Sequence, residues 1–319
     1  MNTGSLLDDT GVQRSTLYAN GPFSFAHLLA GIRRRHNDAV DVVEEGCYRR
    51  LLNHRGRVLL LTACAHQSDP HSVRLEVRSS DGGVDGADLS FAEMALRRIA
   101  WLDHSPQPFY DHVRDDAALA PLIQTHHGMR PVGSPDIFEM LVIAILGQQI
   151  SLIAASAIKR RMVQSLGTDA TFGERTYRAF PTPEALAEAS HDHLVSLAFS
   201  RRKAEYVRDL ALAIAGGALN LEALRGLPHH AILERLIALR GIGRWTAEYV
   251  LLRGFAYPDA LPAGDAGLRR QITRIYNLPT PPTEDEIIAR AEPWRPYRSW
   301  ATLYLWNAGM DIASVEQPG

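Results

Sequence analysis

The sequence predicts an α+β fold: a small mixed α/β domain at the amino terminus, then a larger all-helical region of two subdomains. Three observations predict it. One amphipathic helical stretch, Phe23–Arg35, is followed by three β-like runs at Cys47–Leu52, Arg57–Ala63 and Ser72–Arg78. A glycine-rich break, Asp81-Gly82-Gly83-Val84-Asp85-Gly86, then closes that segment. Beyond Phe91 the apolar residues recur at helical spacing between capping residues. The expected division is residues 1–90 and 91–319.

Within the first segment, His54-Arg55-Gly56 and Ser68-Asp69-Pro70 supply the turns between strands. In the second, Ser134-Pro135-Asp136 reads as a helix start, with Ser134 as the cap and proline at the first helical position. That helix runs to about Leu146, and another runs from Ser151 to Leu166, stopped by Gly167. Further helices fit Pro183–Ala189, Arg202–Ile214, His230–Leu239, Trp245–Phe255 and Ala266–Tyr276. Thr283-Glu284-Asp285-Glu286 is a capping box that opens the next, and the last fits Tyr297–Asn307.

Of the 319 residues, 46% are hydrophobic and 22% charged, which suits a packed core and argues against disorder. The net charge of −2 carries no overall basic footprint, so any contact with nucleic acid has to be local. The two cysteines, Cys47 and Cys64, form neither a CxxC nor a ligand cluster, which argues against a zinc or iron–sulfur centre. Such sparse cysteine use fits a reducing cytoplasm. The first twenty residues are polar and acidic, unlike a secretory leader. The longest apolar run, Met140–Leu146, is too short to span a bilayer. The expectation is a cytoplasmic monomer with no membrane partner.

Leu239-Arg240-Gly241-Ile242-Gly243-Arg244-Trp245-Thr246-Ala247 places two glycines in a tight loop between apolar helices. Glycine permits positive φ and leaves the backbone uncovered, and the first amides of the following helix lack intrahelical partners. Such a loop can hold a phosphate through backbone N–H groups. It can equally be an ordinary helix–helix turn. Local charge favours the phosphate. Arg240, Arg244, Arg253, Arg269, Arg270 and Arg274 face only Glu248, Asp259 and Asp265 within the same stretch. Lys159-Arg160-Arg161 and Arg201-Arg202-Lys203 either extend this basic surface or are solvated helix faces.

The loop, followed by Leu261-Pro262-Ala263-Gly264-Asp265-Ala266-Gly267-Leu268, resembles the helix-hairpin-helix and Gly/Pro…Asp signature of DNA glycosylases, most of all the 3-methyladenine glycosylase II (AlkA-like) type. Ile145-Leu146-Gly147-Gln148-Gln149-Ile150-Ser151 resembles that family's duplex-probing segment. Trp294-Arg295-Pro296-Tyr297-Arg298-Ser299-Trp300 and Trp306 resemble its terminal helix, and Pro22-Phe23-Ser24-Phe25 its amino-terminal domain. The resemblance implies that Asp265 is the catalytic carboxylate and that Trp245, Tyr249 and Trp306 line the base pocket. It also implies that Leu239, Arg240, Gly241, Ile242, Gly243 and Arg244 grip a DNA phosphate. A sodium or potassium ion would be held there by the carbonyls of Leu239 and Gly241, and no other cofactor is required. The partner is double-stranded DNA containing damaged bases, met near the nucleoid. Two departures stand out. Gln149 occupies the position of an apolar wedge, and Gly31 that of a pocket phenylalanine, which predicts a more open wall.

The chemistry suits these residue types. A base is rotated out of the duplex at a cost of a few kcal/mol, and stacking on an aromatic ring returns about 1–3 kcal/mol. A carboxylate at Asp265 would stabilise the positive charge that develops on the sugar, and aspartate is also a common N-cap, a role that can coexist. An N3- or N7-alkylated purine is already cationic and leaves neutral, so a second acid is not required. An electron-rich aromatic box would favour such a cation. The same aromatics, spaced as they are, could instead be core residues. In lyase-competent relatives a lysine stands where this chain has Trp245, so the implied activity is monofunctional. The absence of a cysteine quartet separates the chain from the iron–sulfur branch. The alternatives are a bifunctional oxidised-purine glycosylase/lyase, revealed by borohydride trapping, and a non-catalytic DNA-binding module, revealed by failure to release free base.

Overall fold

The structure, a computed structural model, describes residues 11–34 and 39–309. Strands β1 (Gln13–Tyr18), β2 (Asp41–Glu44), β3 (Cys47–His54), β4 (Arg57–Ala65) and β5 (Ser72–Ser79) form an antiparallel sheet in the order β1-β5-β4-β3-β2. Helices α1 (Phe25–Arg33) and α2 (Gly86–Ala100) accompany it in the amino-terminal segment. Ser24 caps α1 by accepting from the His27 N–H, so the helix starts two residues later than expected, and Arg35 lies outside the described residues. Asp85 and Asp88 form a capping box at α2. Leu28 and Ile32 of α1 and Leu96 and Ile99 of α2 pack in one cluster with Leu59, Leu61 and Val77 of the sheet. Helix α2 passes through residue 90, and this core continues to Leu102 and Val132.

The helical region follows: α3 (Gln107–His112), α4 (Leu119–Thr125), α5 (Ile137–Gly147), α6 (Leu152–Leu166), α7 (Pro183–Glu188), α8 (His191–Ser196), α9 (Arg201–Ala215), α10 (His229–Ile237), α11 (Arg244–Arg253), α12 (Ala266–Ile275), α13 (Glu284–Ala291) and α14 (Arg298–Trp306). Ser151 and Thr283 cap α6 and α13 as the sequence predicts. At α5 the cap is Asp136 and not Ser134: its side chain accepts from the Glu139 N–H at 2.7 Å.

Three expectations are corrected. Strands β1 and β2 complete the sheet but lie at its edges, where partial exposure blurs the alternating pattern. The region expected to be all-helical contains a hairpin, β6 (Asp169–Phe172) and β7 (Arg175–Arg178). Its strands are too short and polar to be read locally. They gain their apolar contacts by docking Ala170, Tyr177 and Phe172 against Leu51 and Leu60 of the sheet. Cys47 and Cys64, expected as reduced thiols, face each other in register across β3 and β4 and are disulfide-bonded. Their number therefore no longer argues for a reducing compartment.

Sheet and helical region are joined by charge. Arg50, on β3 and 2% exposed, donates to Asp41 at 2.6 Å and to Glu139 in the first turn of α5. The Tyr48 hydroxyl donates to Asp41 at 2.6 Å. Burial pushes the Glu139 carboxyl up to about 7 against the pull of Arg50. Lys159 is buried and contributes to the same field, so it does not extend a basic surface. Buried charges without partners are far costlier than paired ones. Arg50→Met should therefore cost about 3–5 kcal/mol in urea unfolding, and adding Glu139→Gln should restore part of it. A loss below about 1 kcal/mol for the single variant would remove this network as the joint.

Candidate active site

Helix α11 begins at the glycine hairpin. Gly241 has φ +84°, and a Cβ there would run into the Tyr206 ring of α9. Gly243 is different from expectation: its φ is −89°, it is the N-cap of α11, and a Cβ would meet nothing within 4 Å. One glycine is thus required by conformation and packing, while the other leaves open space beside the first turn of α11. Gly243 has no side chain with which to cap the helix, so the cap leaves those amides to an outside acceptor.

The predicted basic surface is only partly there. Arg240 is bound by Asp209 at 2.8 Å and Glu205 at 2.6 Å and lies over the Tyr206 ring. These acids sit about one helix away in sequence, so a local count of charges misses them. Arg244 is exposed and 3.9 Å from Glu248. Lys203 donates to the carbonyls of Leu146 and Gln148, each at 2.7 Å, and so pins the turn between α5 and α6.

From that turn the Gln148 amide donates to the Gly241 carbonyl at 2.9 Å and to Thr246 Oγ1 at 3.0 Å. Gln149, the expected wedge, stands at its exposed tip with φ +58°. The carbonyls expected to hold a cation each accept one N–H: Leu239 from Ile242 at 3.1 Å, Gly241 from Gln148. A carbonyl has two lone pairs, so both retain acceptor capacity.

Asp265 caps α12. Its Oδ1 accepts from the Leu268 N–H at 2.7 Å and from the Trp306 indole N–H at 2.9 Å. A Cβ on Gly267 would stand 2.9 Å from that oxygen and 3.8 Å from the indole, so the glycine clears the space where the two meet. The sequence reading missed Glu248, which is buried on α11 and accepts from the Leu261 N–H at 3.1 Å, holding the segment that leads to Asp265. Its only sequence signal is an i,i+4 spacing from Arg244.

Trp245 and Tyr249 stack with centroids 5.6 Å apart, and Tyr249 lies 6.1 Å from Trp306. The structure thus brings all three predicted aromatics together beside Asp265. Their burial differs from that of the tryptophans inside the core, although Tyr249 and Trp306 also pack against that core. Trp101, Trp294 and Trp300 are fully buried, whereas Trp245, Tyr249 and Trp306 are half-buried. Arg253 was counted only as a basic residue. Its guanidinium lies 5.6 Å from the Tyr249 centroid and 5.3 Å from that of Trp306, and donates to the Val132 carbonyl at 2.7 Å. At Gly31, the position expected to leave a wall open, a Cβ would be 2.8 Å from Val132 Cγ2, so Val132 occupies the space beside that glycine.

Comparison with known proteins gives consistent results. Residues 142–296 match the model of the HhH-GPD superfamily base excision DNA repair protein, and residues 14–136 match the AlkA N-terminal domain. The chain is 36% identical over 206 residues to a DNA-3-methyladenine glycosylase of Bacillus subtilis strain 168, covering 65% of this chain and 68% of the relative. It is 30% identical over 299 residues to DNA-3-methyladenine glycosylase 2 of Escherichia coli K12, covering 91% and 96%. The solved 3-methyladenine DNA-glycosylase from Archaeoglobus fulgidus superposes with a TM-score of 0.80 at 25% identity, over 91% of this chain and 96% of that one. An 8-oxoguanine glycosylase/lyase from Clostridium acetobutylicum, at 18% identity and a TM-score of 0.71, shares the fold, over 97% of each chain.

The two hairpin glycines should respond oppositely to a methyl group. Gly241→Ala should lose about 1–3 kcal/mol, since it strains a left-handed residue and displaces Tyr206. Gly243→Ala should stay within about 0.5 kcal/mol of wild type. Equal stabilities in denaturant titration would contradict the hairpin geometry.

Proposed function

The chain belongs to the helix-hairpin-helix base excision DNA repair superfamily, among the AlkA-like DNA-3-methyladenine glycosylases, and on that premise we propose a monofunctional, hydrolytic excision of alkylated bases from duplex DNA with Asp265 as the catalytic carboxylate. One observation carries it above the rest: Asp265 is bonded to the indole of Trp306, within an aromatic trio that is left half-buried.

Backbone amides at Gly243 and Arg244 receive a phosphate of the damaged strand, with the dipole of α11 behind them. Carbonyls of Leu239 and Gly241 would hold a sodium or potassium ion, which supplies positive charge beside that phosphate. The damaged base leaves the stack and lies against Trp245, Tyr249 and Trp306, offsetting part of the extrusion cost. The bond from C1′ to the base nitrogen breaks with its electron pair on the base, so an alkylpurine cation departs neutral. Asp265 faces the resulting positive charge on the sugar from a position set before substrate arrives. Water adds to C1′ and its proton passes to solvent, which leaves a neutral sugar hydroxyl. Trp245 has no amine with which to form a Schiff base, so the strand stays intact.

The remaining attributes rest on the substrate. We assign the protein to the cytoplasm, at the nucleoid, as a monomer without a membrane partner. Among the described residues no helix is long and apolar enough to cross a membrane.

Asp265→Asn keeps an oxygen for both N–H donors and removes the charge. It should bind duplex and fold as wild type does, yet release alkylated base less than about a tenth as fast, a barrier increase above roughly 1.4 kcal/mol. Retention of more than that would dismiss the carboxylate role. Borohydride should trap no enzyme–DNA adduct, and a trapped adduct would favour the lyase reading. Gly243→Val should weaken binding to damaged and undamaged duplex alike, because its bulk fills the open side of the hairpin. Unchanged affinities with the fold intact would take the hairpin out of the interface.

A further inference from the structure

Trp245, Tyr249 and Arg253 follow one another at four-residue intervals on α11, so one face of that helix carries two of the pocket rings and then a guanidinium. Arg253 lies over the rings of both Tyr249 and Trp306, 5.6 and 5.3 Å from their centroids. It is held from both ends. Its Nη1 donates to the Val132 carbonyl at 2.7 Å, and its own carbonyl accepts from the Ser134 N–H at 3.1 Å. Arginine keeps its charge throughout the working pH range of a protein. At the edge of the same indole, Trp306 Nε1 donates to Asp265 at 2.9 Å. Trp306 therefore has a cation over its ring and a carboxylate at its N–H. The rings are assigned to the base and Asp265 to the sugar, so the two groups belong to opposite sides of the bond that breaks.

We propose that Arg253 is a second charged group of the reaction, drawing the electrons of the glycosidic bond toward the base while Asp265 stabilises the sugar. The inference rests on the reading of the aromatic trio as the base pocket. When the bond from C1′ to N9 breaks, its electron pair stays on N9, and the base gains one negative charge whatever its starting state. A 7-methylguanine cation becomes a neutral base. A neutral hypoxanthine becomes an anion, which takes a proton from water. In each case the sugar cation takes up water and returns a proton to solvent. A fixed positive charge beside the base favours this change in both lesions, and more strongly in a partly dry site than in water. The lesions differ in where the effect enters. For the cation, Arg253 disfavours the bound base, and that penalty is relieved as the bond breaks. For the neutral base, Arg253 leaves the bound state unaffected and stabilises the developing anion. The guanidinium thus lets one pocket serve uncharged as well as cationic lesions.

The test compares Arg253→Gln, Arg253→Met and Arg253→Lys with wild type, with melting temperatures as a control for folding. Glutamine loses the charge but can still donate to the Val132 carbonyl, and lysine keeps the charge. Should Arg253→Met melt far below wild type, Arg253→Gln carries the comparison. Single-turnover release of 7-methylguanine and of hypoxanthine is measured from otherwise identical duplexes over a range of enzyme concentrations. Each series gives a maximal rate and a half-saturating concentration. The uncharged variants should lower the maximal rate at least about fivefold on both lesions. On 7-methylguanine the half-saturating concentration should fall by a similar factor, leaving their quotient within about twofold of wild type. On hypoxanthine that concentration should stay within about twofold, so the quotient falls at least about fivefold. Arg253→Lys should keep every value within about threefold. A quotient that falls equally on both lesions, a maximal rate within about twofold of wild type, or a lysine variant as impaired as the glutamine one would overturn the assignment. Wild-type release of 7-methylguanine without hypoxanthine would leave the proposed reaction standing and overturn the role given to Arg253. If wild type released neither base, the reading of the trio as a glycosylase pocket would fall, and this inference with it.

Discussion

A single carboxylate oxygen organises the centre of this protein. Asp265 Oδ1 closes the first turn of α12 and receives the indole N–H from the last residue of α14. Both partners need support from elsewhere. Glu248 holds the approach to Asp265 through Leu261. The start of α14 is tied to the same connection through Arg298 and Asp259, at 2.7 and 2.8 Å, and through Ser299 Oγ, which accepts from the Ala260 N–H at 2.9 Å. Helices α11, α12 and α14 therefore set one another's positions through buried polar contacts, and such contacts are costly to leave half made. The aromatic trio follows from this arrangement, because Trp245 and Tyr249 ride on α11 and Trp306 ends α14.

The amino-terminal sheet takes part from a distance. Arg50 fixes β3 to the first turn of α5, and the other end of α5 leads into the turn that Lys203 and Gln148 clamp to the hairpin. A rigid helix thus runs from the interdomain joint to the loop assigned to DNA. Val132, in the core of the amino-terminal unit, also supplies the carbonyl that Arg253 binds beside the aromatics. The sheet touches neither Asp265 nor the hairpin by any hydrogen bond described above, yet both ends of the site are braced against it.

Much of this was legible because it is local. Caps at Ser151, Thr283 and Asp265, the hairpin glycines and the helical periodicities depend on residues within one or two turns, and the structure places them close to where the sequence does. What was not legible is long-range. The pairing of Cys47 with Cys64 depends on the register of β3 against β4. The β6–β7 hairpin exists because a sheet more than a hundred residues away offers it Leu51 and Leu60. Arg240 reads as a free phosphate ligand until α9 brings Glu205 and Asp209 to it, and Lys159 reads as surface until Glu139 lies beside it. Charge counted along the chain overstates the basic surface whenever acids return from a distant helix.

Arg253 bears on substrate choice for the same reason. An aromatic box alone would favour a cationic base through the ring quadrupoles. Here a guanidinium of the protein itself lies near the rings of both Tyr249 and Trp306. A second cation on those rings gains less, since it also meets the first. Stacking area does not depend on charge, and Trp245, the ring of the trio without that guanidinium contact, still offers it. Recognition of an alkylpurine therefore has to draw on shape and stacking as well as on charge. In the reaction proposed above, its rapid loss once bound comes from its own weak glycosidic bond, with Asp265 assigned to the sugar cation on the other side of that bond.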